Sequence, residues 1–195
     1  MADPHNHEGV PLNVWILESA TATDGSSLRR CVAERLIETY SPPAGVVVDL
    51  VAAGVEVLDA AIGRGRSAVL GLRPYACARP ATESLSDTAD LVVCLPPANH
   101  LEPPRDFAMP AVMVESVCRR AAVMLRPGGF FVLASVGRGT GALDPATRAV
   151  TATSAVGLDY FQHVVVLLGW PAVERAAAVE RRIAHADLVV ARRPA

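Results

Sequence analysis

Asp49 closes a run of β-branched residues, Val46-Val47-Val48, and a loop of small residues follows it as far as Gly54. Such a run predicts a strand that is buried on both faces. A carboxylate at its end can accept hydrogen bonds from a bound ligand or from the amides of its own loop, and small side chains let a ligand approach the backbone. The sequence leaves both interpretations of Asp49 open, a ligand contact and a strand-end cap.

Two further segments carry residues suited to chemistry. Asn99 and His100 follow Pro96-Pro97, but Asn and His are ordinary loop residues, and we favour that interpretation. Gly137-Arg138-Gly139-Thr140-Gly141 stands between a predicted strand and a predicted helix, which is the context of a phosphate-binding loop. Its spacing is GxGxG rather than GxGxxG, and it comes late in the chain. We therefore interpret it as a turn at the edge of the sheet.

The remaining histidine, serine and cysteine side chains form no catalytic or metal-binding pattern. His163 begins an apolar segment, where a hydrogen-bonded structural histidine is more common than a general base. Ser135 lacks the glycine-flanked context of a hydrolase nucleophile. No CxxC pair occurs, which disfavours zinc, and we expect no metal site. We predict that the four cysteines are small core residues: Cys31, Cys77, Cys94 and Cys118.

The composition indicates one folded domain. A chain of 195 residues, 51% of them hydrophobic, can bury a substantial core. We place the domain at residues 13–195, after a flexible arm over residues 1–12. The sequence has neither a signal peptide nor an apolar run of about 18 residues, so we expect a cytoplasmic protein without membrane contact. The net charge is −2 and all 18 basic residues are arginine, which disfavours autonomous nucleic-acid binding.

Strand and helix patterns alternate along the chain. Strands are predicted near residues 46–50, 67–72, 89–95, 130–134, 164–168 and 188–190. Helices are predicted near residues 28–40, 54–62, 111–125 and 144–156 and after Pro171, with a tight turn at 126–129. The alternation predicts an α/β fold, a doubly wound, mostly parallel, Rossmann-like sheet with a final antiparallel strand. Ligands of such sheets bind at the carboxyl ends of central strands, here residues 49–54 and 95–99.

The chain resembles class I S-adenosylmethionine-dependent methyltransferases, in particular bacterial DNA methylases that modify base amines and related tRNA guanosine methyltransferases. The family's cofactor segment, Asp-Pro-x-x-Gly-x-Gly-Thr-Thr, matches Asp49 to Val57 in position. The family's catalytic motif, an Asn, Asp or Ser followed by Pro-Pro and an aromatic residue, matches Leu95-Pro96-Pro97-Ala98. Three more segments follow in the family's order: Leu125–Gly129, Gly157–His163 and His185–Val190.

The resemblance implies a cofactor, S-adenosylmethionine, at residues that this chain has altered. The matching cofactor positions are Asp49, Val51, Ala53, Gly54 and, at the ribose, Arg73. The two family glycines fall at Ala53 and Val55, where a Cβ would approach the cofactor. Arg73 cannot accept a hydrogen bond from a ribose hydroxyl. Glu83 or Asp87 could replace that acceptor, but both fit a solvated loop better.

The catalytic motif is altered as well. In the family a side-chain oxygen and the adjacent backbone carbonyl accept protons from the target amine, and an aromatic ring stacks on the flipped base. Leu95 has no acceptor and Ala98 has no ring. The glycine loop, the ribose acceptor and the catalytic motif are thus all altered in this chain. Their joint alteration favours decay of the methyl-transfer chemistry.

The leading hypothesis is therefore a non-catalytic methyltransferase-like protein, a partner subunit or binding module whose partner is an active methyltransferase or a second copy. The runner-up is an active methyltransferase with a remodelled pocket, acting on a nucleic-acid base amine or another substrate. A third hypothesis is a nucleotide-binding protein that uses the late glycine loop. An open cavity lined by backbone amides would favour the enzyme, whereas a space filled by Val55, Arg73 and Leu95 would favour decay.

Overall fold

The computed structural model describes residues 12–17, 25–71, 85–97, 109–137, 143–168 and 185–195. Strands and helices alternate over most of these residues. In chain order they are β1 (Leu12–Leu17), α1 (Gly25–Tyr40), β2 (Val46–Asp49), α2 (Glu56–Gly63), β3 (Ser67–Leu70), β4 (Ala89–Cys94), α3 (Ala111–Met124), β5 (Leu125–Gly137), α4 (Leu143–Ala155), β6 (Asp159–Leu168) and β7 (His185–Arg192).

The strands form one sheet in the order β1-β6-β7-β5-β4-β2-β3. β7 runs antiparallel to both of its neighbours, β5 and β6, and the other pairs are parallel. The prediction of a doubly wound, mostly parallel sheet with a final antiparallel strand is confirmed.

Helices cover both faces of the sheet and create two apolar layers. One layer packs α1 and α2 against the sheet, and the other packs α3 and α4 against the opposite face. All six residues of β4 are buried, which explains why all of them except Asp90 are apolar. The buried centre of the sheet fixes the ends of β2 and β4 side by side.

The edge strand β1 was not predicted. It pairs in parallel with β6, and Leu12, which the sequence analysis assigned to the arm, is its first residue. Trp15 is buried on the α1 side of the sheet, where its ring stacks on Tyr40 with 6.5 Å between ring centroids. The strand thus depends on a partner far away in the sequence, which local periodicity does not reveal.

The predicted tight turn at residues 126–129 is instead part of β5. The register between β4 and β5 shifts between the pairs Ala89–Leu125 and Leu91–Phe130, so β5 bulges there. Gly128 adopts a φ of +79°. A Cβ on Gly129 would lie 2.8 Å from the carbonyl oxygen of Ala89, so glycine is needed for this close approach.

Several predictions fall outside the described residues. They concern Cys77, Arg73, Glu83, Ala98, Asn99, His100, the glycine loop at 138–142, the helix after Pro171 and residues 1–11 of the arm. Among the described residues, no helix is both long and apolar enough to cross a membrane.

Candidate functional site

The ends of β2 and β4 meet at the carboxyl edge of the sheet. Asp49 pairs with Val93 in the parallel register, and the backbone N–H of Leu50 donates to the carbonyl oxygen of Val93 at 2.9 Å. The loop after Asp49 therefore lies beside Leu95 and Pro96. This is the edge at which doubly wound sheets bind their ligands.

Asp49 is fully buried and organises the loop that follows it. Its Oδ1 accepts hydrogen bonds from the backbone N–H groups of Val51 at 3.1 Å and Ala52 at 3.2 Å. Ala52 has a φ of +48°, in the left-handed region that non-glycine residues rarely adopt. Asp49 thus acts as a strand-end cap that holds a strained loop.

Arg29 of α1 fills the space between this loop and the end of β4. Its side chain is fully buried. Nη2 donates to Oδ2 of Asp49 at 2.8 Å, Nη1 donates to Oε2 of Glu56 at 2.7 Å, and Nε donates to the carbonyl oxygen of Pro96 at 3.1 Å. We call these four residues, Arg29, Asp49, Glu56 and Pro96, the Arg29 node.

The node pairs one buried cation with two carboxylates. An arginine without partners would carry a large desolvation penalty at this depth, and three good hydrogen bonds offset it. Glu56 stands in the first turn of α2, where the helix dipole favours negative charge. Burial raises the pKa of Glu56, but the backbone N–H of Glu56 and the Arg29 guanidinium outweigh burial and hold the pKa below its ordinary value.

Gly54 makes room for the Glu56 carboxylate. A Cβ on Gly54 would lie 2.1 Å from Oε2 of Glu56, closer than any real contact. The missing side chain therefore lets Glu56 fold back towards Arg29. Gly54, which lies between the two family glycine positions, thus serves a contact inside this protein.

Val55 stands at the start of α2, at the second glycine position of the family's cofactor segment. It has ordinary backbone angles, φ −97° and ψ −6°, and its side chain is 60% exposed. The valine therefore faces solvent and takes no part in the Arg29 node. Ala53 is half-buried.

The catalytic-motif positions lie close to the node. Leu95 is buried in the apolar layer beneath α1 and α2. Pro96 is buried too, and its carbonyl oxygen is the one that Arg29 binds, while Pro97 is half-buried. This carbonyl oxygen, which the resemblance to DNA methylases would assign to a target amine, is therefore hydrogen-bonded within the protein.

Asp87 cannot replace the missing ribose acceptor. It precedes β4 at the amino edge of the sheet, opposite to the edge that carries Asp49. Its carboxylate forms an ion pair with Arg193, and its φ is +57°. Asp87 is exposed in a turn, in agreement with the interpretation as a solvated loop residue.

Sequence reasoning missed Arg29, although a signal was present. Helical spacing places Arg29 on the same stripe of α1 as Ala33, Leu36 and Tyr40, and all of these residues are buried. A charged residue on a buried stripe needs a partner. The acidic residue at a neighbouring strand end, Asp49, was the available choice.

The other polar candidates are structural. His163 lies within β6, and its Nε2 is 2.9 Å from Oδ1 of Asp187 on β7, which matches the prediction of a satisfied histidine. Cys94 and Cys118 are buried, as predicted. Burial raises the pKa of both thiols, that of Cys118 to about 12, so neither is a ready nucleophile. Cys31 is half-buried.

The described part of the chain contains no group of three or more His, Cys, Asp or Glu side chains suited to a metal ion. The three ionisable groups of the Arg29 node are each paired inside the node. The geometry stabilises the junction of α1, β2, α2 and β4.

No family model matches this chain, and no curated protein matches its sequence. Its structure is similar to that of a SAM-dependent methyltransferase from Archaeoglobus fulgidus, with a TM-score of 0.55 and 10% identity, over 86% of this chain and 94% of the other. A geranyl diphosphate methyltransferase in complex with GPP and sinefungin gives a TM-score of 0.53 and 12% identity, over 84% of this chain and 78% of the other.

A third similar structure is geranyl diphosphate C-methyltransferase from Streptomyces coelicolor A3(2), in complex with Mg²⁺, geranyl diphosphate and S-adenosyl-L-homocysteine. Its TM-score is 0.54 at 11% identity, over 85% of this chain and 81% of the other. Identities this low show the fold alone, and the narrower resemblance to DNA methylases stays a prediction. The chain has the fold of the S-adenosylmethionine-dependent methyltransferases.

Proposed function

We propose that this chain is a non-catalytic protein of the methyltransferase fold, acting as a partner subunit or a binding module. The single observation that carries the proposal is the Arg29 node. It uses the acceptors at the carboxyl edge of the sheet for a contact within the protein.

The amino-acid end of S-adenosylmethionine carries an ammonium, a sulfonium and a carboxylate, and its two cationic groups need acceptors at this edge. The carboxylates of Asp49 and Glu56 and the carbonyl oxygen of Pro96 are acceptors in that position, and all three bind the Arg29 guanidinium. The amides of Val51 and Ala52 are bound to Asp49 as well. In this arrangement the residues present do not fit the cofactor.

Displacing Arg29 would require a large free energy. Its guanidinium is fully buried between two carboxylates, and breaking a buried ion pair costs on the order of 3–5 kcal/mol. A micromolar ligand gains only about 8 kcal/mol in total. The cofactor would therefore lose about half of a typical binding free energy before making its own contacts.

The target-amine chemistry is also missing. The side chain of Leu95 has no oxygen that could accept a proton from an amine, and it is buried in the core. The carbonyl oxygen of Pro96 already accepts from Arg29. A protein that keeps the scaffold and has lost these functions is suited to pair with an active methyltransferase or with a second copy of itself.

Isothermal titration of the purified chain with S-adenosylmethionine and S-adenosylhomocysteine tests the proposal. We expect no heat of binding at micromolar ligand concentrations. A micromolar dissociation constant for either ligand would overturn the proposal, because the node would then have opened. Circular dichroism on the same sample establishes that the chain is folded during the titration.

The retained Asp49 favours one other candidate, an active methyltransferase with a remodelled pocket. It keeps the carboxylate at the end of β2 where the family has it. Incubation with radiolabelled S-adenosylmethionine and DNA, RNA or cell extract separates the two. Incorporation of label that depends on the purified chain would establish the enzyme, and its absence with all three substrates supports the non-catalytic protein.

A further inference from the structure

A groove opens between α3 and α4, on the face of the sheet opposite to the Arg29 node. It has a volume of about 280 Å³. We call it the α3–α4 groove. Its lining comes from the two helices and the turn after α4: Ala111, Glu115, Arg119, Arg148, Thr151, Ala152, Ala155 and Val156.

Much of the lining is small and apolar. It includes Ala111 on α3, Ala152 and Ala155 on α4, and Val156 after α4, and we call the three alanines the alanine floor. The volume lies close to the lower end of the range for small-molecule pockets, roughly 300 Å³, so only a compact ligand fits. It is too small for a partner's helix, which is about 10 Å across. The size of the groove therefore indicates a small molecule.

The charges on the groove are predominantly positive. Arg119 and Arg148 stand over the apolar floor, and Glu115 is the one carboxylate in the lining. Glu115 lies 3.7 Å from Arg119, and both side chains are more than half exposed, so this pair holds Arg119 only weakly. Arg148 is exposed and makes no ion pair or hydrogen bond with the described side chains, so a ligand can reach its guanidinium from solvent.

We propose that the α3–α4 groove binds a small amphipathic carboxylate. The carboxylate pairs with Arg148, where a guanidinium can donate two parallel hydrogen bonds. The apolar chain of the ligand covers the alanine floor and is removed from water. The site shares no residue with the Arg29 node and needs no S-adenosylmethionine, so it does not depend on the proposed function.

Octanoate and octan-1-ol test the proposal, since they share an alkyl chain and differ in the charged group. Each is titrated into the ¹⁵N-labelled full chain and followed by amide chemical shifts. We expect octanoate to shift amides of α3 and α4 and to bind about tenfold more tightly than octan-1-ol, as one charge-assisted contact allows.

Two variants and one control locate the site. Arg148→Ala should weaken octanoate binding about tenfold and leave octan-1-ol unchanged. Ala155→Phe fills the groove from an exposed position and should abolish binding of both. Arg30→Ala removes an exposed arginine from α1, on the other face of the sheet, and should change neither.

Three outcomes would overturn the assignment. Equal affinities for octanoate and octan-1-ol would show that the ligand's carboxylate does not contribute to binding. Octanoate binding that survives both Arg148→Ala and Ala155→Phe would place the site elsewhere. If saturating octanoate shifts no amide signal of α3 or α4, the groove does not bind this ligand.

Discussion

The guanidinium of Arg29 lies 2.8 Å from the carboxylate of Asp49, and neither side chain is exposed to solvent. Asp49 also accepts hydrogen bonds from the amides of Val51 and Ala52. One carboxylate thus connects helix α1, strand β2 and the loop that follows the strand. The pair occupies the carboxyl edge of the sheet, where a ligand would bind, and it stabilises the fold.

Removal of the cation should destabilise the fold strongly. Arg29→Met keeps a long side chain but leaves the carboxylates of Asp49 and Glu56 buried without a partner. The free energy of unfolding, measured with urea, should fall by about 3–5 kcal/mol. A variant as stable as the wild type would mean that the node contributes nothing to folding.

Arg30→Met is the matched control for Arg29→Met. Arg30 is the next residue of α1, and its ion pair with Asp59 is long, at 3.2 Å, and about half exposed on both sides. Exposed pairs contribute about 0–1 kcal/mol. We therefore expect the free energy of unfolding of Arg30→Met to change by less than about 1 kcal/mol. The larger loss in Arg29→Met would then be explained by the burial of Arg29 and not by the loss of an arginine as such.

The Glu56 carboxylate should make stability depend on pH in the acid range. Its pKa is lowered in the folded protein, so its contribution is fully present above the unfolded pKa of about 4.3. The contribution is lost as the pH falls from there through the folded pKa. Urea unfolding at several pH values should show a steeper loss of stability below about pH 4.3 for the wild type than for Glu56→Gln. Parallel curves for the two proteins would contradict this role.

Local patterns in the sequence were sufficient for the central sheet. The β-branched run that ends at Asp49 and the apolar run of β4 predict buried strands because both faces of these strands are covered. The periodicity of α1 likewise predicts its buried side. These signals are local, since they report which faces of an element avoid water.

The strand β1 and the Arg29 node needed tertiary information. β1 exists because Trp15 and its neighbours pair with β6, about 150 residues further along the chain. The partners of Arg29 come from three other segments, at Asp49, Glu56 and Pro96. Spacing within α1 indicates that Arg29 is buried, but only the packing of α1 against the strand ends identifies what it binds.

Gly54 should be needed for the contact between Glu56 and Arg29. In Gly54→Ala the new Cβ would collide with the Glu56 carboxylate and displace it from the guanidinium. We expect a loss of about 1–3 kcal/mol in the free energy of unfolding, the cost of leaving a buried polar group without its partner. In a Glu56→Ala background the same change should cost much less, which a double-mutant cycle measures.

Gly63→Ala is the control for Gly54→Ala. Gly63 ends α2, and a Cβ there would meet no atom within 4 Å. Alanine at such a position should leave stability unchanged or raise it by up to about 1 kcal/mol. Equal losses from both glycine substitutions would show that backbone effects, and not the Glu56 contact, explain the result.

Val55→Gly should not restore cofactor binding, although it returns a glycine to a position where the family has one. The Val55 side chain is 60% exposed and takes no part in the contacts of Arg29, so its removal leaves the Arg29 node closed. Glycine is acceptable at the start of a helix, and stability should change by less than about 0.5 kcal/mol. Isothermal titration of the variant with S-adenosylmethionine should therefore match the wild type. Micromolar binding by Val55→Gly alone would instead identify the valine, rather than Arg29, as the residue that excludes the cofactor.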